Sequence, residues 1–534
     1  MNKENYFDTI VIGSGIGGLA AASILAQRKN QKVLVLERHF KIGGFTHIFK
    51  RNAKFEYEWD VGLHYIGEMQ PGTLSRSIFD FITQGKLNWQ PMPEVYDKFV
   101  YPGFSFPARK GRKNFEQDLI SRFPGEESAI HQYFIDIRQV RKWFRRYIMQ
   151  KIYPPFMSKV LSGYTKIGRK KAVMTTKTYL DKNFKDERLK AILVSQWGDY
   201  GLPPSMSTFG IHATVTGHYF NGGYFPVGGS KKIGDSIIPI IESKGGQLLI
   251  NHFAEKIIIK DGKATGVKVL HKNKTESSEV EFFADNIISN CGAYTTFTKL
   301  LPEKYQREYL RTSKHLPSGA GHVSLYIGFK ESPESLGFKG ENHWIYDSVD
   351  HELIYNQRNE LITGKVNFAY LSFPSLKNPE AKGHTAEIIS IVDMEPFKKW
   401  SEQPWKKRDE SYKNLKDKIA NALIAFVEKH YPGFRKLIDY SELSTPLTTE
   451  FFTGHQNGTI YGIPAVPDRY KSKWIGFRTP VKNLYLAGAD TPAGHGIVGA
   501  MMGGVVTAGI LTGIPKGIYK IFKDAENFSK TLKN

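Results

Sequence analysis

Residues 7–27 read FDTIVIGSGIGGLAAASILAQ, and KVLVLER follows at residues 32–38. A short apolar run, a glycine turn, an apolar helix and a second apolar run make a βαβ unit of about thirty residues. The turn carries Gly13, Gly15 and Gly18 in GxGxxG spacing. The first glycine permits the tight turn, the second lets backbone approach a pyrophosphate, and the third lets helix and strand pack closely. The helix N-terminus behind them offers free N–H groups and a positive dipole to phosphate. Glu37 closes the second strand about twenty residues on, where a carboxylate accepts from both ribose hydroxyls and disfavours a 2′-phosphate. The spacing predicts a dinucleotide site that is not for NADP.

Moving outward, Gly43 and Gly44 in ERHFKIGGF predict a second close approach of backbone to the cofactor, which an NAD site rarely needs. At the far end, LYLAGAD places Gly488 and Asp490 just after a strand, ahead of a glycine-rich helix that begins near Gly496. A helix N-terminus aimed at the pyrimidine edge of a flavin would stabilise the reduced ring, so FAD is the expected nucleotide. Between the ends, residues 50–67 read as strand and loop, and 73–171 as mostly helical. Residues 245–269 read as a hairpin around a DGK turn, 281–290 as a buried strand, 324–391 as β-rich and 406–430 as an amphipathic helix. No repeat or low-complexity linker separates these parts. The expected fold is α/β, a glutathione-reductase-like Rossmann domain interleaved with an α+β substrate domain. Residues 1–72, 223–300 and 476–534 are assigned to the first, and 73–222 and 301–475 to the second.

The chain has 534 residues, 40% of them hydrophobic and 13% aromatic, which excludes a disordered or collagen-like protein. One cysteine excludes an internal disulfide framework and a cysteine-based zinc site, and fits a reducing compartment. No metal site is expected. The net charge of +22 suits a polyanionic partner. Half of it falls between Arg138 and Lys171, where eleven Lys and Arg stand with no acid. Trp143, Phe144, Tyr147, Tyr153 and Phe156 are interleaved with these cations, which predicts a peripheral contact with an anionic membrane rather than nucleic acid. Residues 491–515 lack charged side chains but hold seven glycines, so they read as a helix packed on a cofactor, not as a span. A cytoplasmic, peripherally membrane-associated protein is expected.

The glycine motifs, together with WDVGLHYIGEM, GGYFPVGGSKKIGDSI, STPLTTEFFTGHQNGTIYG and NLYLAGADTPAGHGIVGAMMGG, resemble the flavin-dependent phytoene desaturase, carotenoid isomerase and retinol saturase family. DVGLHYIG is most similar to the retinol saturase branch. The resemblance implies FAD held by Gly13, Gly15, Gly18, Glu37, Arg38, Gly43, Gly44, Gly488 and Asp490, with Ala254 on the adenine side and Ile497 and Val498 near the ring. It implies a long apolar lipid substrate, such as a carotenoid, retinoid or fatty acyl chain, and saturation, desaturation or cis–trans isomerisation at carbon–carbon bonds. The family's usual proline in the C-terminal turn is replaced in GHGIVG, so His495 has no assured counterpart.

No hydrolase triad or HExxH occurs, and a flavin needs only an oriented substrate to move a hydride. A proton donor or acceptor is still required for saturation or isomerisation. His64 and Tyr65 in DVGLHYIG are candidates, against roles in holding the loop and in packing. His212 is a third, with His218 beside it, and for both a structural role competes. Asp199 in QWGDYG and Glu68 are weaker candidates, for which a solvated surface role is favoured, and Cys291 reads as a small core residue. No second dinucleotide motif is present, so NAD(P)H would serve only as a transient reductant. Two alternatives share the fold: a soluble flavin amine-oxidase-like enzyme, and a non-enzymatic escort for isoprenoid-modified partners.

Overall fold

The opening strand Tyr6–Ile12 lies in the middle of a seven-stranded sheet. Parallel to it on one side run Val33–Leu36 and then Gln247–Leu249, and on the other Ser277–Ser289 and then Leu484–Leu486. Val33–Leu36 is buried at every residue, as a parallel sheet covered on both faces requires. The strand Ser277–Ser289 serves twice. Its second half pairs in parallel with the opening strand, and its first half closes an antiparallel meander with Lys263–Lys272 and His252–Lys260. The computed structural model describes residues 5–272, 277–472 and 474–532.

The helix Ile16–Lys29 covers this sheet and packs against the helix Gly496–Leu511. Their contact is built from glycine: a Cβ on Gly504 would fall 1.9 Å from the Gly17 carbonyl oxygen, and one on Gly503 would fall 2.6 Å from that of Gly488. Residues 491–515 therefore hold a helix pressed backbone to backbone on the first βαβ unit. Among the described residues no helix is long and apolar enough to cross a membrane.

A second seven-stranded sheet is ordered Ile438–Ser444, Gly321–Phe329, His384–Val392, Phe368–Ser372, Asn342–Tyr346, Val95–Tyr101, Phe104–Arg109. Two features differ from the sequence reading. Residues 73–171 are not mostly helical up to their midpoint: Trp89–Pro91, Val95–Tyr101 and Phe104–Arg109 are strands, and the last two form an edge hairpin of the second sheet. The aromatics of the basic stretch also divide. Trp143, Phe144 and Tyr147 sit on the inner face of the helix Glu127–Ile152, buried against Tyr470. The apolar side chains that face outward belong to the next helix, Pro155–Lys166, and the residue after it. Phe156, Val160, Tyr164 and Ile167 are 80%, 71%, 72% and 71% exposed.

Candidate active site

Both glycine-rich helices begin on the wall of one cavity of about 1030 Å³ that runs from the first sheet into the second. This is at the upper end of the range for small-molecule and cofactor sites. Gly13, Gly15, Glu37, Gly43 and Gly44 line one end; Ala254 and the Gly488–Asp490 turn join them, with Arg38, Ile497 and Val498. Gly18 is set back from the cavity. A Cβ there would lie 2.3 Å from the Gly13 carbonyl and 3.0 Å from Val11, so it serves helix-on-strand packing.

Ser14, which sequence reading passed over, ties this end together. Its hydroxyl donates to Glu37 Oε2 at 2.6 Å and accepts from the Gly43 amide at 3.0 Å, while its own amide donates to the same carboxylate oxygen at 2.9 Å. Glu37 Oε1 accepts from the His39 amide at 2.7 Å. Oε2 thus has both lone pairs taken, while Oε1 keeps one for a further donor such as a ribose hydroxyl. The Gly43-Gly44 turn lies so close to the first turn that a Cβ on Gly44 would fall 2.9 Å from Gly15 Cα. Gly44 also adopts φ +58°, in the left-handed region. Asn290, also unforeseen, donates to the Gly13 and Gly15 carbonyls at 3.2 and 3.3 Å. Asp490 accepts from the amides of Ala293 and Ile463, both at 2.7 Å, so its carboxylate pins two loops to the cavity wall. Arg38 reaches the Phe451 carbonyl at 3.2 Å. A wall of bare backbone, two helix N-termini and an acidic residue at the strand end suits a dinucleotide, whose diphosphate needs N–H groups and no side-chain bulk.

The other end is a chamber walled by Tyr219, Trp344, Phe368, Tyr370 and Tyr461. His64 and Tyr65 both line it. His64 Nδ1 lies 2.6 Å from Glu387 Oε2, a carboxylate fully buried on the strand His384–Val392. Lys377 Nζ donates to the His64 carbonyl at 2.9 Å, to Ser372 Oγ at 2.7 Å and to Asn342 Oδ1. Burial holds this ammonium down to about 7, against the pull of Glu387 and Asp97. Tyr65 stacks on Tyr219, with 4.2 Å between ring centroids.

Three expectations need correction. His212 does not line the cavity; it is buried among Tyr133, Tyr200 and Phe209, with Nε2 2.8 Å from the Tyr133 hydroxyl. Burial pushes its imidazole down to about 3, which favours the neutral ring. Asp199 is not a surface residue; it faces the chamber and meets the Tyr65 hydroxyl at 2.9 Å. Glu68 is on the cavity wall too. Burial raises its carboxyl, but His218 and Arg141 outweigh this and hold it at about 2. His218 itself accepts from the Gly67 amide at 2.8 Å, a loop-holding role. Cys291 lies half-buried on the wall, 3.0 Å from Ser289 Oγ.

Residues 11–82 match the NAD(P)-binding Rossmann-like domain model. An all-trans-retinol 13,14-reductase from Danio rerio is 32% identical, over 94% of this chain and 86% of that protein. The chain belongs to the all-trans-retinol 13,14-reductase family. A prolycopene isomerase from an Oncidium hybrid cultivar is 26% identical over 95% of this chain and 84% of its own. Among solved structures, an oxidoreductase from Methanosarcina mazei superposes with a TM-score of 0.62 at 16% identity, over 93% of this chain and 98% of that one. The fold class expected from the glycine turns holds: an α/β, Rossmann-like body carries a second sheet that walls the chamber.

Proposed function

We propose that this protein is an FAD-dependent oxidoreductase that acts on carbon–carbon double bonds of a long polyene lipid of the retinoid or carotenoid class. The observation that carries this is the single cavity, which joins a glycine-lined dinucleotide cradle to an aromatic chamber in a chain of the retinol reductase family. Gly13, Gly15, Glu37, Gly43, Gly44, Ala254, Gly488, Asp490 and Arg38 would hold the nucleotide, with Gly18 shaping the turn and Ile497 and Val498 against the ring. Bound there, the flavin supplies or accepts a hydride. The chain's own part is to exclude water, stack the polyene on aromatic faces and hold protons near it. His64 and Tyr65 are the residues of the glycine-flanked loop placed to do so. Segments 1–72, 223–300 and 476–534 form the cofactor body in this proposal, and 73–222 and 301–475 the substrate body.

The lipid is reached from an anionic membrane surface through the helix Pro155–Lys166. Phe156, Val160 and Tyr164 recur every fourth residue and make one apolar stripe. Lys159, Lys166, Arg169, Lys170 and Lys171 stand beside it. Each cation near such a surface adds about 1 kcal/mol.

The test is incubation of the FAD-loaded, anaerobically reduced protein with all-trans-retinol and with poly-cis lycopene. Saturation shortens the conjugated absorbance and adds two hydrogens to the mass; isomerisation changes the spectrum alone. NADPH in place of a chemical reductant reports whether a nicotinamide feeds the site. If every polyene is recovered unchanged, the proposal fails.

A further inference from the structure

With the chamber taken as the place where a polyene is reduced, as proposed above, the second hydrogen added to the double bond needs a proton source. Tyr65 Oη lies 2.9 Å from Asp199 Oδ2 and 3.1 Å from Asp97 Oδ2. A phenol has one hydrogen to donate, so it cannot satisfy two carboxylates. Were both acids ionised, one anion would press on the phenol's lone pairs. A second proton therefore belongs to this trio.

Its location follows from the remaining partners. Asp97, on the strand Val95–Tyr101, also accepts from Gln196 Nε2 at 2.8 Å and from Asn342 Nδ2 at 2.9 Å. Donors of that kind favour the anion. The carboxyl of Asp199, at the end of the turn Trp197–Asp199, has only Tyr65 as a hydrogen-bond partner among the described residues. The titratable groups around it are Asp97, Tyr65 and the phenols of Tyr96, Tyr200, Tyr219, Tyr346, Tyr370 and Tyr461. Among the described residues no Lys, Arg or His forms an ion pair with either acid; Lys377 Nζ lies 6.0 Å from the Tyr65 ring centroid and feels the charge of Asp97. Burial, and then the charge of Asp97, push the Asp199 carboxyl well above the usual carboxylate range. Asp199 lines the cavity and Asp97 does not.

We infer that Asp199 carries the extra proton, donating it to Tyr65 Oη while Tyr65 donates to Asp97, and that Asp199 is the proton donor to the polyene. In the step, a reduced flavin held in the glycine cradle would supply a hydride, which would form a C–H bond at one carbon of the double bond. The π pair takes the Asp199 proton to form a C–H bond at the adjacent carbon. Asp199 is left as a carboxylate, and the Tyr65 hydroxyl turns its hydrogen from Asp97 towards it. Water returns the proton after the product leaves. Tyr65 and Asp97 are positioning residues for this donor.

The test has two arms, both on the FAD-loaded protein. In the infrared arm, the difference between wild type and Asp199→Asn shows a protonated-carboxyl band that shifts in D₂O, and Tyr65→Phe moves that band. In the kinetic arm, reduced wild type given all-trans-retinol in D₂O forms product with solvent deuterium at both carbons, because the N–H of a reduced flavin exchanges as the carboxyl does, and at a rate that falls on the alkaline side. Asp199→Asn, with its flavin absorbance and circular dichroism intact, slows this step by about 100-fold or more and loses the alkaline limb. A missing carboxyl band, or an Asp199→Asn protein as fast as wild type, overturns the inference while leaving the proposed function standing. A wild type inert towards every polyene defeats the proposed function, and the donor role with it, even where the band is present.

Discussion

Ser14 and Asp60 show how much a single residue decides here. Ser14 is wholly buried, and its hydroxyl is the joint between Glu37 and the Gly43 amide. Ser14→Ala leaves a buried carboxylate and a buried N–H each short of a partner, and bonds to charged groups contribute about 1.5–3 kcal/mol. FAD affinity, read by titrating apoprotein, should fall at least about tenfold; unchanged affinity would mean that the joint does not shape the cradle. Asp60 accepts from the Ser230 amide at 2.6 Å, and burial pushes its carboxyl up to about 7. The folded protein thus keeps a proton that the unfolded chain releases above about pH 4. Stability from this group is present in acid and declines as pH rises to about 7. In Asp60→Asn that slope should vanish. Urea midpoints measured from about pH 4.5 to about 8 check it, and parallel curves for the two proteins would exclude Asp60 as the cause.

Among the elements, the first βαβ unit was legible because close backbone approach demands glycine, and glycine is visible in a sequence. The hairpin of Val95–Tyr101 and Phe104–Arg109 was not, although its signals are present: Phe99 and Tyr101 alternate with the half-exposed Lys98 and Val100, and Pro102-Gly103 sits at the turn. Aromatic residues on both sides obscured the period of two. That omission hid part of the site, since Asp97 rides on this strand and meets Gln196, 99 residues away, only in the fold. Charge and aromatics between 138 and 171 were read correctly as a mixture, but sequence alone did not say which face each aromatic takes. The burial of Trp143, Phe144 and Tyr147 moves the proposed membrane contact to Pro155–Lys166. Phe156→Ser, Val160→Ser and Tyr164→Ser combined should weaken binding to anionic vesicles by at least about tenfold, since each buried apolar side chain is worth about 1.5–3 kcal/mol. The three side chains face outward, so the thermal midpoint should hold. Binding should also fall in high salt, as screening predicts. Undiminished sedimentation with vesicles would place the contact elsewhere.

At the scale of the whole molecule, the first and last glycine-rich helices are held together along a seam of glycines. Gly17 and Gly504 meet through backbone, and Gly503 meets Gly488 in the same way, so the first turn and the last are fixed relative to each other by close backbone approach, with Asn290 bonded to the first turn beside them. Such a seam tolerates no added volume. In Gly504→Ala the new Cβ has no flexible side chain to push aside, only the Gly17 carbonyl 1.9 Å away, and the two helices must part. Overpacking of this kind costs about 1–3 kcal/mol. Because both helices also begin at the cavity, separation should loosen the cofactor as well as the fold. The expected result is a lower thermal midpoint together with flavin lost on gel filtration. Gly163→Ala is the matched control: it too adds one methyl in a helix, but nothing lies within 4 Å of the position, and alanine favours helix by about 0.5–1 kcal/mol. That variant should be as stable as wild type or more so, and retain its flavin. If Gly504→Ala behaves like Gly163→Ala, the cradle is held by its own turns, and the packing of one terminus on the other is not what keeps it in shape.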